Sequence, residues 1–162
     1  AMGRKATETV TLKFDQTPAQ RLGDEDFNYP AFLDLGNLMW CALAVGTCEA
    51  VKEYSIKYAN ERTAFGEPIS HRQSVAFMIA DMAIEIDAMR MLILNAASLA
   101  ESGQPFHREA YLARLLCAEK SMKIATDGVQ ILGGHGFTKE HPAERWYRDL
   151  RATAVLHSGL HA

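Results

Sequence analysis

Cysteine is scarce in this sequence: three in 162 residues, Cys41, Cys48 and Cys117, with no C-x-x-C spacing. An odd, unpaired set excludes a disulfide framework. It fits small buried hydrophobes in a reducing, cytoplasmic compartment. Glycine (11) and proline (5) are too few for a collagen-like or low-complexity chain. There is no excess of positive charge, since the net charge is −3, and this argues against a dedicated nucleic-acid binder. No run of 18 apolar residues is free of charges, so no membrane span is expected. No signal peptide opens the chain, and Ala1-Met2-Gly3 reads as a cloning remnant. With 48% apolar residues, one domain with a true core is expected, carrying at most a short appendage.

What is present is mostly helical periodicity. A helix is expected from about Asn28, a good N-cap followed by Pro30 in the first turn, to Asn60. Leu38, Cys41, Val45 and Cys48 trace its apolar stripe. Gly66 and Pro68 punctuate its end. A second helix is expected after Ser70, with Gln73 completing a capping box. Its seam is Val75, Ile79, Met82, Ile86, Met89, Ile93 and Ala96, and it stops near Gly103-Gln-Pro105. A third helix runs from His107 to Leu132 with a stripe of Leu115, Ala118, Met122, Ala125, Val129 and Leu132, closed by Gly133-Gly134. A fourth runs from about Pro142 to Leu156. Short connections make sequence neighbours antiparallel, so the expected fold is all-α, an up-down four-helix bundle. Ahead of it, Val10-Thr-Leu-Lys-Phe14 alternates like a strand. A lone strand is not stable; either it packs on the helices or it belongs to a sheet this chain lacks.

Few residues announce chemistry by themselves. His157 and His161 stand at i, i+4, but no third ligand lies near in sequence, so no metal site is expected. His135 and His141 flank a loop and read as surface residues. Gly133-Gly-His-Gly136 follows a helix rather than a strand and fails the context of a dinucleotide-binding turn. Arg62, at a helix end, suits a carboxylate or a phosphate.

Taken together, several blocks resemble the C-terminal helical domain of the acyl-CoA dehydrogenases. These are Glu61-Arg-Thr-Ala-Phe-Gly-Glu-Pro-Ile69, then Gln73, Ile79-Ala-Asp-Met82, Ala88-Met-Arg90, Gln130-Ile-Leu-Gly-Gly-His-Gly-Phe137 and Glu144-Arg-Trp-Tyr-Arg-Asp-Leu-Arg151. The likeness spans about residues 9 to 160, with block order kept. It implies that residues 1–23 are the remnant plus the end of a middle β-domain, that 24–162 are the bundle, and that the chain is part of a longer dehydrogenase or a partial homologue.

The resemblance further implies FAD as cofactor, acyl-CoA as substrate, and a homo-oligomer, dimer or tetramer, or a related dehydrogenase subunit as partner. Electron-transfer flavoprotein is a further partner of such enzymes. In the family, the ADP half of FAD is held by a neighbour's C-terminal domain. Carried over by position, Arg62 meets the FAD pyrophosphate and Phe65 packs by the cofactor. Gln73 lies near its adenosine or ribitol side. Gln130, Gly133 and Gly134 form the loop that approaches ADP, where glycine lets the main chain come close. Asp34 matches a substrate-binding position.

Two departures stand out. The family's base glutamate lies in a Tyr-Glu-Gly-Thr-like segment, and here His157 of Leu156-His-Ser-Gly159 occupies its place. Other members carry the glutamate on the first helix, where this chain has Gly36, beside Asn37 in place of an arginine. His157 is thus a candidate base or a structural residue. The expected function is either the FAD-contacting and oligomerisation domain of a dehydrogenase, or a catalytically silent assembly module. A different reaction on the same fold is the third reading.

Overall fold

The computed structural model describes residues 10–21, 23 and 25–155. Four helices dominate: α1 (Tyr29–Glu61), α2 (Gln73–Glu101), α3 (His107–Leu132) and α4 (Ala143–Val155). Between α1 and α2 the chain makes a minimal antiparallel hairpin, β1 (Thr63–Ala64) and β2 (Glu67–Pro68), then a 3-10 turn at Ile69–His71. A second 3-10 turn, Gly133–Phe137, follows α3.

The α1 start is the expected one. The Asn28 side chain accepts a hydrogen bond from the Ala31 N–H at 3.0 Å, and Pro30 lies in the first turn, where its missing N–H costs nothing. The capping box at Ser70 and Gln73 does not form. Ser70 lies inside the 3-10 turn, Arg72 is the N-cap, and no side chain caps α2. The turn uses up the residues that would have been the first helical turn, so α2 begins at Gln73 itself. The strand expected at 10–14 is also absent. Val10, Leu12 and Phe14 are exposed, neither paired with a strand nor packed on the bundle.

The centre of the fold is α3, which packs on all three other helices and most extensively on α1. These two run parallel, since Asp34 meets His107, Val51 meets Gly128 and Tyr58 meets Leu132 in the same order along both. Mostly small side chains line the α3 side: Ala110, Ala113, Cys117, Ser121 and Gly128 are buried, with Ile124 the one large residue among them. The expected α3 stripe through Leu115, Ala118 and Met122 is only half-buried and lies next to this line. Close approach favours the small residues over the large ones at the contact. Ser55 and Ser121 are buried, and their hydroxyls have no hydrogen-bond partner among the described residues. Size rather than polarity accounts for serine there. On α2 the expected seam holds, with Met82, Ile86, Met89 and Ala96 buried and Val75, Ile79 and Ile93 half-buried.

All three cysteines are free and buried, as expected. Burial pushes the Cys48 thiol up to about 12 from its ordinary 9.0. The Cys117 thiol is also pushed up, held protonated by its hydrogen bond to Cys41 and by burial. One feature departs from the sequence expectation about membranes. An 18-residue window in α1 reaches mean hydropathy 1.4, so this helix is long and apolar enough by length and composition to span a bilayer. A third of that window is buried inside the bundle, and a core helix passes the same test.

A Cβ at Gly128 would stand 2.5 Å from Val51 Cγ1, whereas one at Gly46 meets nothing within 4 Å. Gly128→Ala should therefore lower stability by about 1–2 kcal/mol, overpacking outweighing the gain in helix propensity. Gly46→Ala should raise it by up to about 1 kcal/mol; urea titrations of both measure the difference. For Cys48, the folded thiol keeps its proton at pH values where the unfolded thiol has lost it. Its contribution is complete below pH 9.0 and is lost as pH rises toward about 12. Stability should fall by about 1 kcal/mol per pH unit through that window, and Cys48→Ala should flatten the slope.

Candidate functional site at the Arg62–glycine corner

The C-terminal end of α1 and the C-terminal end of α3 lie side by side because the helices are parallel. Arg62 caps α1 in an extended conformation, its N–H donating to the Tyr58 carbonyl at 2.8 Å and its carbonyl accepting from the Ile69 N–H at 2.9 Å. Backbone bonds on both sides thus fix where the guanidinium starts. That guanidinium makes no ion pair among the described residues. Gly133 ends α3 at φ +58° and ψ −132°, a backbone region open to glycine. Nothing lies within 4 Å of where a Cβ of Gly133 or Gly134 would be, so the main chain there is open to approach.

Arg62, Gly133 and Gly134 line one open recess of about 400 Å³, together with Tyr58, Ile69 and His135. A neighbouring recess of about 320 Å³ shares Arg62, Tyr58 and His135 and adds Tyr54, Lys57 and His141. The two form a continuous corner with four cationic or imidazole groups, Arg62, Lys57, His135 and His141, two phenols and one carboxylate, Glu61. The residues present suit a phosphate-bearing dinucleotide: an unpaired guanidinium fork, an open glycine backbone and aromatic walls.

His135 and His141 are not the independent surface residues that their loop position suggests. The Tyr58 hydroxyl is 2.9 Å from His135 Nδ1 and 3.4 Å from the Leu132 carbonyl, and the Tyr54 hydroxyl is 2.8 Å from His141 Nδ1. The two imidazoles stack at 5.0 Å between centroids. Tyrosines one helical turn apart on α1 therefore brace the segment that follows the glycine pair. Sequence reasoning passed over Tyr54, Lys57 and Tyr58. Their i, i+4 repeat on α1 was the available signal, but their partners lie 87 and 77 residues away.

The other expected cofactor residues are placed more loosely. Phe65 sits at the hairpin tip with φ +57°, beside Gly66 at φ +87°, and is 95% exposed. A non-glycine residue in that region is strained, and here the strain holds an aromatic ring out in solvent, with the Arg72 guanidinium 5.7 Å from the ring centre. Gln73 is exposed at the start of α2. Gln130 is exposed in the last turn of α3, where its backbone carbonyl accepts from the Gly133 N–H. Neither lines the two recesses.

The expected substrate side lies at the opposite end. Asp34 is 28 residues from Arg62 along α1, about 42 Å at 1.5 Å per residue. It is buried, and its Oδ2 accepts from His107 Nδ1 at 2.8 Å. Gly36 is half-buried with open space about it, and Asn37 faces a narrow cleft with Trp40 and Arg114. His157 lies outside the described residues. Among the described residues no cluster of three metal-ligating side chains occurs.

The family model described as acyl-CoA dehydrogenase, C-terminal domain, matches residues 30–158. The chain is 38% identical over 160 residues to a probable acyl-CoA dehydrogenase, YngJ, of Bacillus subtilis, covering 95% of this chain and 42% of that protein. Among solved structures it resembles butyryl-CoA dehydrogenase from Megasphaera elsdenii with TM-score 0.77 and 35% identity, over 80% of this chain and 34% of the other. It also resembles PigA solved with FAD and proline, with TM-score 0.75 and 25% identity, over 78% and 33% of the two chains. The chain thus spans well under half the length of the proteins it matches.

Proposed function

The chain belongs to the acyl-CoA dehydrogenase family, whose C-terminal helical domain it carries, and from that premise we propose that it holds the ADP half of FAD in a flavoprotein oxidoreductase acting on acyl-CoA thioesters. The observation that carries this reading is the convergence of Arg62, Gly133 and Gly134 on one recess at the corner between α1 and α3. Arg62 is the anchor. Its planar fork presents paired donors to two phosphate oxygens, a geometry a lysine ammonium does not offer. The glycine pair lets backbone N–H groups approach the same phosphates without side-chain interference. Tyr58 and His135 hold the glycine segment against α1. Phe65, held out from the hairpin tip, is positioned to pack against a cofactor or a neighbouring subunit. FAD, when bound, supplies the hydride acceptor.

The 42 Å between the two ends of α1 gives them separate tasks. One end takes the ADP half of a dinucleotide that belongs to a neighbour's active site, so the working form is a homo-oligomer or an assembly with a related dehydrogenase subunit. The other end, with Asp34, faces acyl-CoA. Electron-transfer flavoprotein is the electron-accepting partner that family membership implies. Three buried free thiols suit a reducing compartment such as the cytoplasm.

A second reading, a catalytically silent assembly module, is favoured by two observations. Gly36 has no side chain where some family members carry the base. In addition, α1 exposes Phe32, Leu35, Met39 and Leu43 along one side. Turnover of a panel of acyl-CoA thioesters with an electron acceptor separates the two readings.

The binding claim is tested by flavin retention. Arg62→Ala should weaken FAD affinity about 10- to 100-fold, the cost of losing charge-assisted hydrogen bonds to phosphate. Fluorescence titration of the assembled protein reads the change, and equal FAD content in the variant and the parent contradicts the assignment.

A further inference from the structure

The three buried cysteines are not alike. Cys41 and Cys48 lie two turns apart on α1, and Cys117 lies on α3. Cys48 is sealed in the core, 0% exposed, with its thiol held protonated by burial. Cys41 and Cys117 instead line one narrow cleft between α1, α3 and α4. Its walls include Asn37, Trp40, Arg114 and Thr153, all half-buried rather than sealed. The cleft holds about 20 Å³, room for one water-sized molecule. Within it the Cys117 thiol donates a hydrogen bond to the Cys41 sulfur. That bond and the Arg114 guanidinium bring the Cys41 thiol below its ordinary range despite its burial. The thiolate is the reactive form of cysteine, so the two sulfurs have unequal roles. The backbone also suits a bridge between them. Ala113 and Ser121, one turn either side of Cys117, are small and fully buried on the contact with α1. Close helix backbones are what a disulfide requires, its Cα atoms lying within about 7 Å of each other.

We propose that Cys41 and Cys117 form a peroxide-reactive thiol pair, in which a small hydroperoxide oxidises Cys41 and Cys117 resolves it to a disulfide bridging α1 and α3. In the first step the Cys41 thiolate attacks one oxygen of the hydroperoxide. The O–O bond breaks, an S–O bond forms, and the departing oxygen takes up the proton that Cys41 released, leaving a sulfenic acid. In the second step the Cys117 sulfur attacks the Cys41 sulfur. The S–S bond forms, the S–O bond breaks, and the sulfenic hydroxyl leaves as water with the Cys117 proton. Two thiols and one hydrogen peroxide thus give one disulfide and two waters; the sulfurs lose two electrons and the peroxide gains them. The bridge crosses the α1–α3 contact between the Asp34 end and the Arg62 end. The proposal needs neither the cofactor reading nor the acyl-CoA reading.

The test exposes the assembled protein, reduced and freed of reductant, to hydrogen peroxide. It is then unfolded in an alkylating reagent and mapped by mass spectrometry. Digestion with trypsin and chymotrypsin, which cuts at Leu43, separates Cys41 from Cys48. A peptide pair joining Cys41 to Cys117 is expected, with Cys48 alkylated and the link reversed by dithiothreitol. Cys117→Ala should lose the link and let dimedone label Cys41, whereas Cys48→Ala should link as the parent does. Glutathione disulfide, too large for the cleft, should leave all three thiols of the folded protein free. The parent map alone decides the pairing, so the result does not depend on the folding of a variant. Peroxide treatment that leaves the thiols free overturns the proposal. So does a link that includes Cys48, dimedone on Cys48 rather than Cys41, or modification of the folded protein by glutathione disulfide.

Discussion

The parallel contact between α1 and α3 governs the rest of this structure. It is close because α3 presents alanine, cysteine, serine and glycine along the contact, and at Gly128 there is no room for even one more carbon against Val51. Because the two helices run the same way, their N-terminal ends meet at one end of the bundle and their C-terminal ends at the other. The first meeting creates the Asp34–His107 pair, and the second creates the Arg62–Gly133 corner. The remaining helices complete the core around this contact: α2 adds its methionine and isoleucine seam, and α4 covers the outer side of α3.

Under the proposed function, this arrangement gives one small helical unit two separate ligand-binding ends. A rigid rod about 42 Å from Asp34 to Arg62 keeps the two ends at a fixed spacing. Neither end depends on a long mobile loop. The hairpin at Phe65, the braced turn after Gly133 and the connection before His107 are all short. Tyr54 and Tyr58 tie the glycine segment to α1 through imidazoles, so that segment is held by groups of high sequence separation rather than by its own backbone alone.

Helical periodicity and capping residues made much of the fold legible. The α3 limits, the Asn28 cap and the α2 seam could all be read from local spacing, because each depends on residues within a few turns. The burial line of α3 could not be read in the same way. Ser121 and Gly128 carry no hydrophobic signal, yet contact distance selects them over Leu115 and Met122. The hairpin at Thr63–Pro68 was hidden by its length of two residues per strand, and its 3-10 sequel displaced the capping box expected at Ser70. The Arg62 and Gly133 positions were singled out through family resemblance, and the fold brings them to one recess. His135 and His141 read as surface residues because their partners lie more than 70 residues away. A single sequence offers no sign of such pairings until helix direction and register are known.

The division of labour between the two ends is tested most directly by amide NMR of this chain titrated with ADP. The account predicts shifts at Arg62, Gly133, Gly134 and His135 that saturate together, while Asp34 and His107 stay unmoved. Shifts centred on Asp34 and His107, or spread equally over both ends, would contradict it.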